Sequence, residues 1–292
     1  MAFKRPCFDA FTFAQDSHRG PSRLLHIAIV TARYNKCVKA AIPLLATSLL
    51  CAQTPVKIDY ACPPEDINSF GLACSAEDPC PVFLELTAVE AVGAKLFLAG
   101  NLHTQSATLR SILLTSEDGA KTWTEPFERI RAAAFEQIQF ADFANGWVSG
   151  QIIEPLPRDP FLLLSTDGGK TWRQRAVFEE SRIGTIADFW FESHTAGEMV
   201  IDHSERGAIK HEVYQTNTGG ESWEMKEVTA QPVKLKGRPK EQPTLRIRAD
   251  GASKAYHLER IVVTPGGSSG DRRGAPAWET IATILIHVTD CK

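Results

Sequence analysis

The chain has no Cys-x-x-Cys pair, no surplus of basic residues and no apolar run long enough to cross a bilayer. Without the paired cysteine spacing, a structural zinc site has no ligand frame. The formal net charge of the 292 residues is -3. Of the 32 basic and 35 acidic residues, seven and two fall in residues 1–52, so the remainder carries an excess of eight acidic residues. An acidic body argues against a nucleic-acid or anionic-membrane partner. The apolar stretch Ala40 to Leu50 covers eleven residues, about half of what a membrane helix needs. Tyrosine is scarce too: only Tyr60, Tyr214 and Tyr256 lie beyond residue 52. What remains, 43% apolar and 9% aromatic residues, is ample for the core of one all-β domain of this length.

One polar octet occurs three times: Ser116-Glu117-Asp118-Gly119-Ala120-Lys121-Thr122-Trp123, Ser165-Thr166-Asp167-Gly168-Gly169-Lys170-Thr171-Trp172 and Thr216-Asn217-Thr218-Gly219-Gly220-Glu221-Ser222-Trp223. Its tryptophans are 49 and 51 residues apart, and a period of this size marks a repeat architecture. Each octet follows a short apolar run, so it reads as a strand entering a tight turn. Asp118 and Asp167 can accept hydrogen bonds from the N–H groups just ahead of them. The glycines reach positive φ at little cost, and each indole buries a large apolar face under the hairpin.

This pattern, Ser-x-Asp-x-Gly-x-Thr-Trp, resembles the Asp-box, or bacterial neuraminidase repeat, of sialidases, sortilin-type receptors and the photosystem II assembly and stability factor family. The residues that carry the resemblance are Ser116, Asp118, Trp123, Ser165, Asp167, Gly169, Trp172, Thr216, Gly220 and Trp223. The middle copy fits throughout, whereas the first has Ala120 in place of Gly and the third Thr218 in place of Asp. The resemblance covers residues 82–228 and implies turns between the outer strands of β-propeller blades. It says little about activity, since one fold hosts many.

Four strands per unit of about fifty residues is the pattern of a propeller. We assign units to 82–131, 132–181, 182–232 and 240–292, the last without an octet, behind an irregular Cys-containing lead-in at 53–81. The first unit reads as Leu84–Val92, Lys95–Gly100, Arg110–Thr115 and Thr122–Ile130. The segment Phe140-Ala141-Asp142-Phe143 is matched to Ile186-Ala187-Asp188-Phe189, and the fourth unit includes one strand over Trp278–Thr289. The expected fold is all-β, a small propeller of about four to five four-stranded blades, or an incomplete one. An open ring would leave unpaired edges that invite self-association.

Residues 30–52 read as a signal peptide, with Arg33, Lys36 and Lys39 ahead of the apolar stretch and a cleavage site after Ala52. Leu50 before Cys51 disfavours the lipoprotein alternative. Residues 1–29 read as a non-native or disordered extension, with Val30 as an alternative start. Cys62, Cys74, Cys80 and Cys291 then remain for an exported domain, with three possible pairings. Cys74 with Cys80 would clip a polar loop. Cys62 with Cys291 is preferred because a ring of blades needs its ends joined.

Candidate chemistry is thin. Gly266-Gly267-Ser268-Ser269-Gly270 matches a nucleophile elbow, but no helical pattern follows it. Gly168-Gly169-Lys170-Thr171 resembles a phosphate-loop end without its first glycine. A sialidase would need an arginine triad and a tyrosine paired with a carboxylate, and the arginine-containing opening motif is absent. His203 and His211 with Asp202 are the residues available for a metal, and a solvent-facing role is the commoner one. Arg129, Arg131 and Arg158 lie in connecting segments that could line one face. The expectation is an exported, non-enzymatic binding or assembly module. It needs no cofactor or metal and recognises a protein client that is exported or membrane-associated. The alternative is a glycan-binding or sialidase-like propeller.

Overall fold

The computed structural model describes residues 54–203, 209–235, 244–262 and 277–292, all within the compact unit 51–292. The chain is all-β. Its one helix among the described residues, α1 (Pro64–Ser69), is six residues long. The first sheet has the order β15-β1-β2-β3, from His287–Cys291, Cys80–Val92, Lys95–His103 and Thr108–Ser116. The second runs β4 (Ala133–Phe140), β5 (Gly146–Ile152), β6 (Arg158–Ser165) and β7 (Arg173–Ala176). The third runs β8 (Thr185–Phe191), β9 (Gly197–Asp202), β10 (His211–Thr216) and β11 (Glu224–Thr229). The fourth has three strands, β12 (Leu245–Asp250), β13 (Ala255–Ile261) and β14 (Trp278–Leu285). All strand pairs within the sheets are antiparallel.

Both faces of the inner sheets are apolar, which is why strands such as β2 and β6 read as nearly continuous apolar runs. The sheets stack face to face in the order fourth, first, second, third, as blades of a propeller. Three apolar clusters hold the stack. The first joins the fourth sheet, the lead-in and the first sheet through Leu98, Leu102, Leu258 and Ile284. The second joins the first and second sheets through Phe97, Leu113, Phe135 and Trp172. The third joins the second and third sheets through Trp147, Leu164, Phe189 and Phe191. Among the described residues no apolar cluster joins the third sheet to the fourth. Among the described residues the stack is thus open between the third and fourth sheets.

Among the described residues two disulfides are present, Cys62–Cys291 and Cys74–Cys80. The first ties the lead-in to β15, which pairs with the start of β1 through Cys80↔Cys291 and Val82↔Thr289. Close by, the bidentate Arg110 guanidinium (2.6 and 2.8 Å) and the Tyr60 hydroxyl hold the fully buried Asp66 carboxylate of α1 on β3. These contacts fasten the lead-in to the first sheet.

The structure corrects several expected boundaries. The strand expected at Thr122–Ile130 is reduced to bridges from Thr124 to Thr115 and from Arg131 to Arg110. Pro126 has no N–H to give to a ladder there. The single strand expected at Trp278–Thr289 is two: β14 stays in the fourth sheet and β15 crosses to the first. In the irregular lead-in Val56 makes one parallel bridge to Ile284, and α1 was not foreseen. Phe140 corresponds to Phe191, not Ile186, because Phe140 pairs with Gly146 as Phe191 pairs with Gly197. Ala141-Asp142-Phe143 lies in the loop, where Asp142 caps the N–H groups of Ala144 and Asn145, both at 2.7 Å. The signal segment, Cys51 and the glycine-rich Gly266–Gly270 stretch fall outside the described residues.

Candidate functional site

The three octets lie at one end of the sheets, at the ends of β3, β6 and β10. In the second, the Ser165 hydroxyl donates to Asp167 Oδ1 at 2.9 Å and accepts from Gly169 N at 2.9 Å. Asp167 also accepts from Lys170 N and Thr171 N at 3.0 Å, and its Oδ2 accepts from the Thr171 hydroxyl at 2.7 Å. These bonds, led by the backbone N–H of Thr171, hold the Asp167 carboxyl down at about 2. The first octet repeats the set through Ser116 and Asp118, whose carboxyl is likewise lowered, first by the Thr122 N–H. In the third, hydroxyls replace the carboxylate. Gly220 N donates to Thr216 Oγ1 at 3.2 Å and Ser222 N to Thr218 Oγ1 at 3.0 Å.

The second and third octet turns are also where the preceding sheet takes hold. Lys95 Nζ donates to Gly168 O at 3.2 Å, and Trp147 Nε1 to Gly219 O at 2.9 Å. Gly169 has φ +76°, and a Cβ added there would sit 2.4 Å from the Phe97 ring. Glycine is thus required twice over, by backbone angle and by the approach of the neighbouring sheet. Trp172 packs edge-on to Phe97 and Phe140. Trp223 packs edge-on to Phe191, while Trp123 lies against the first cluster.

Side-chain amides complete the sheet-to-sheet contacts. Asn101 accepts from Phe135 N at 2.8 Å and donates to Phe135 O at 3.3 Å. Gln139 does the same to Phe191, at 2.8 Å for both bonds. Both amides are buried, and the sequence alone offered no signal for them.

The opposite end of the sheets carries exposed apolar loop residues. Leu156, Ile183, Ile209, Val228 and Val262 are between 43% and 57% exposed, and each lies where a strand begins or ends away from the octets. Phe143 stands out at the octet end. The arginines singled out from the sequence lie at the apolar end, but only in part free. Arg129 is bound to Glu125 (Nε to Oε2, 2.7 Å), Arg131 reaches Ser69 at 3.3 Å, and Arg158 lies 3.8 Å from Asp159.

Among the described residues three carboxylates are buried and held: Asp66, Glu259 between Arg246 and Arg248, and Glu212. Glu212 accepts from Lys210 Nζ at 2.7 Å and from the Tyr214 hydroxyl at 2.7 Å. Arg182 Nη2 lies 3.6 Å from it and stacks over Phe178 at 4.3 Å. His203 Nε2 lies 3.1 Å away, at an angle that makes no hydrogen bond. Burial works to raise the Glu212 carboxyl, but the bonds from Lys210 and Tyr214 and the charges of His203 and Lys210 outweigh it and hold it at about 2. Burial and the bond to Glu212 push the Tyr214 hydroxyl up to about 12. A tyrosine next to a carboxylate is what a sialidase-like nucleophile requires. Here the carboxylate also accepts from Lys210 and is held at about 2, too weak a base to draw the proton from a hydroxyl pushed up to about 12. His211 Nδ1 is 3.9 Å from Asp202, and among the described residues no three metal donors gather.

The third sheet's outer face holds a groove of about 630 Å³, lined only by residues 190–224, with Trp190, Glu192, Glu198, Trp223 and Glu224 among them. It was not foreseen, because nothing in the sequence says which face of a repeat lacks a neighbour.

No protein-family model and no curated protein matches the sequence. Solved structures do. The one described as YCF48 bound to D1 peptide is 18% identical with a TM-score of 0.38, covering 69% of this chain and 56% of that one. A polysaccharide lyase of family PL25, an ulvan lyase, is 7% identical with a TM-score of 0.38, covering 73% of this chain and 53% of that one. An α-L-arabinanase of Penicillium chrysogenum complexed with arabinobiose is 13% identical with a TM-score of 0.37, covering 70% of this chain and 63% of that one. The chain spans little more than half the length of the first two, and the likeness is one of fold alone.

Proposed function

We propose that the protein is an exported, non-enzymatic binding module that recognises a protein client through the loop end of its blades, opposite the octets. The observation that carries this reading is the gathering of Leu156, Ile183, Ile209 and Val228, all exposed, at one end of the second and third sheets. Loops held on a rigid scaffold suit recognition, and exposed aliphatic side chains beside arginines are what a protein interface uses. The octets are read as Asp-box turns with a structural part only, since their hydroxyls and carboxylates are spent on their own backbone. Export is inferred from the two disulfides, which need an oxidising compartment.

Glycan binding is the second reading, favoured by the indoles of Trp190 and Trp223 beside Glu192 and Glu224 in the groove. Affinity capture from exported and membrane fractions, run beside a glycan array, separates the two. Enrichment of one protein complex that Leu156→Asp and Ile209→Asp abolish supports client recognition. Turnover of a fluorogenic glycoside, or array binding that those variants leave intact with no protein captured, overturns it.

A further inference from the structure

The blades repeat one cross-strand row on the face turned to the next sheet. In the second sheet it is Gln139, Trp147, Leu164 and Arg173, paired in that order across β4, β5, β6 and β7. Every member meets the third sheet. Gln139 bonds both backbone groups of Phe191. Trp147 stacks on Phe191 with ring centroids 3.7 Å apart, and Leu164 is buried in the same cluster. Arg173 pairs with Glu221 of the third octet. The matching row of the third sheet is Trp190, Glu198, Gln215 and Glu224, fixed by the same pairings. Among the described residues no sheet covers it: it lines the groove.

At the other end of the stack, the fourth sheet turns Leu258 and Ile284 to the first sheet, and among the described residues no apolar cluster forms on its far face. That face presents Arg246 and Arg248, both bonded to Glu259 (2.6 and 2.7 Å), with Arg246 stacked 4.1 Å over Trp278. The two open faces differ in sign. The third sheet offers Glu192, Glu198 and Glu224 against one lysine, Lys226, bound to Glu198 at 2.6 Å. The fourth offers two guanidinium groups on one carboxylate. Each face also carries an indole.

We infer that the open face of the third sheet docks on the open face of the fourth sheet of a second copy of this chain. Two copies related by a two-fold axis make this contact twice and close an eight-sheet ring. A face three to four strands wide, at ~4.8 Å spacing, and about six residues long measures roughly 300–400 Å². Four such faces bury roughly 1,200–1,600 Å², the size of a standard stable interface. This goes beyond the client-binding reading, which uses the loop end and not the flanks.

The test is sedimentation of the purified oxidised protein from about 1 to 100 μM at low and high salt. A dimer is expected. The pair Glu192→Arg and Glu224→Arg, at exposed positions whose loss leaves the blade intact, should weaken it on the order of ten-fold or more, as like charges face each other. Arg248→Glu should do the same from the other face. Mixing the two variants should restore the dimer, because in the mixed pair one contact is native and the other has both charges exchanged. Three results overturn the inference: a monomer at every concentration, a dimer indifferent to these charges, or a mixture that fails to re-form the dimer. Saturable binding of a glycan to the groove of a protein that stays monomeric would also count against it.

Discussion

The disulfide between Cys62 and Cys291 should matter far more than its companion. Its cysteines are 229 residues apart in sequence, against 6 for Cys74 and Cys80. In the chain-entropy treatment the longer loop contributes about 5 kcal/mol and the shorter about 2 kcal/mol. The longer bridge also holds β15 in its ladder with β1, and β15 buries Val288 in the cluster joining the fourth sheet to the first. Whole domains are stable by only about 5–15 kcal/mol, so losing it should leave a marginal fold. The variant Cys62→Ala with Cys291→Ala, and separately Cys74→Ala with Cys80→Ala, would be unfolded in guanidinium and compared by extrapolated stability. The first pair should lose about 5 kcal/mol and the second about 2 kcal/mol. Equal losses would refute the claim that joining the chain's two ends is what keeps the fourth sheet on the first.

Trp147→Ala should destabilise by about 3–5 kcal/mol, since the indole is buried, stacked on Phe191 and bonded to Gly219 O; thermal or denaturant unfolding reads this, and a loss under 1 kcal/mol would mean the second and third sheets are joined by other contacts. Glu212 gives a pH dependence. Its carboxyl is lowered to about 2 in the fold, below the unfolded value of about 4.3. Its contribution is therefore full above about pH 5 and fades as pH falls toward 2. Against Glu212→Gln, the native protein should show an extra loss on the order of 2–3 kcal/mol across that window. Parallel acid-unfolding curves for the two would show that Lys210, Tyr214, Arg182 and His203 do not favour the charged form.

The repeat was legible because its cause is local. An aspartate, a hydroxyl and two glycines form the octet turn using atoms within eight residues, so Ser165, Asp167 and Gly169 can be read without knowing any neighbour. The strands before the octets were legible for the same reason: β3, Thr108–Ser116, covers its expected span, Arg110–Thr115. The amides of Asn101 and Gln139 were not. Their partners, Phe135 and Phe191, are 34 and 52 residues away, and an isolated asparagine or glutamine gives no sign of which backbone it will clasp. The match of Phe140 to Ile186 failed because apolar residues along one face of a strand look alike until the pairing register, bulge included, is known.

Composition and period alone determined that this is an all-β repeat protein with turn-pinned sheets, since a fifty-residue unit of short strands can bury its faces only by stacking on copies of itself. Only the tertiary structure decided which copies stack. β15 leaves the fourth unit for the first sheet, so the fourth sheet sits beside the first, and Trp190, Glu198 and Glu224 of the third are left lining a groove. That choice rests on contacts between residues more than 200 apart, where loop-closure entropy and packing of the whole chain outweigh any local preference.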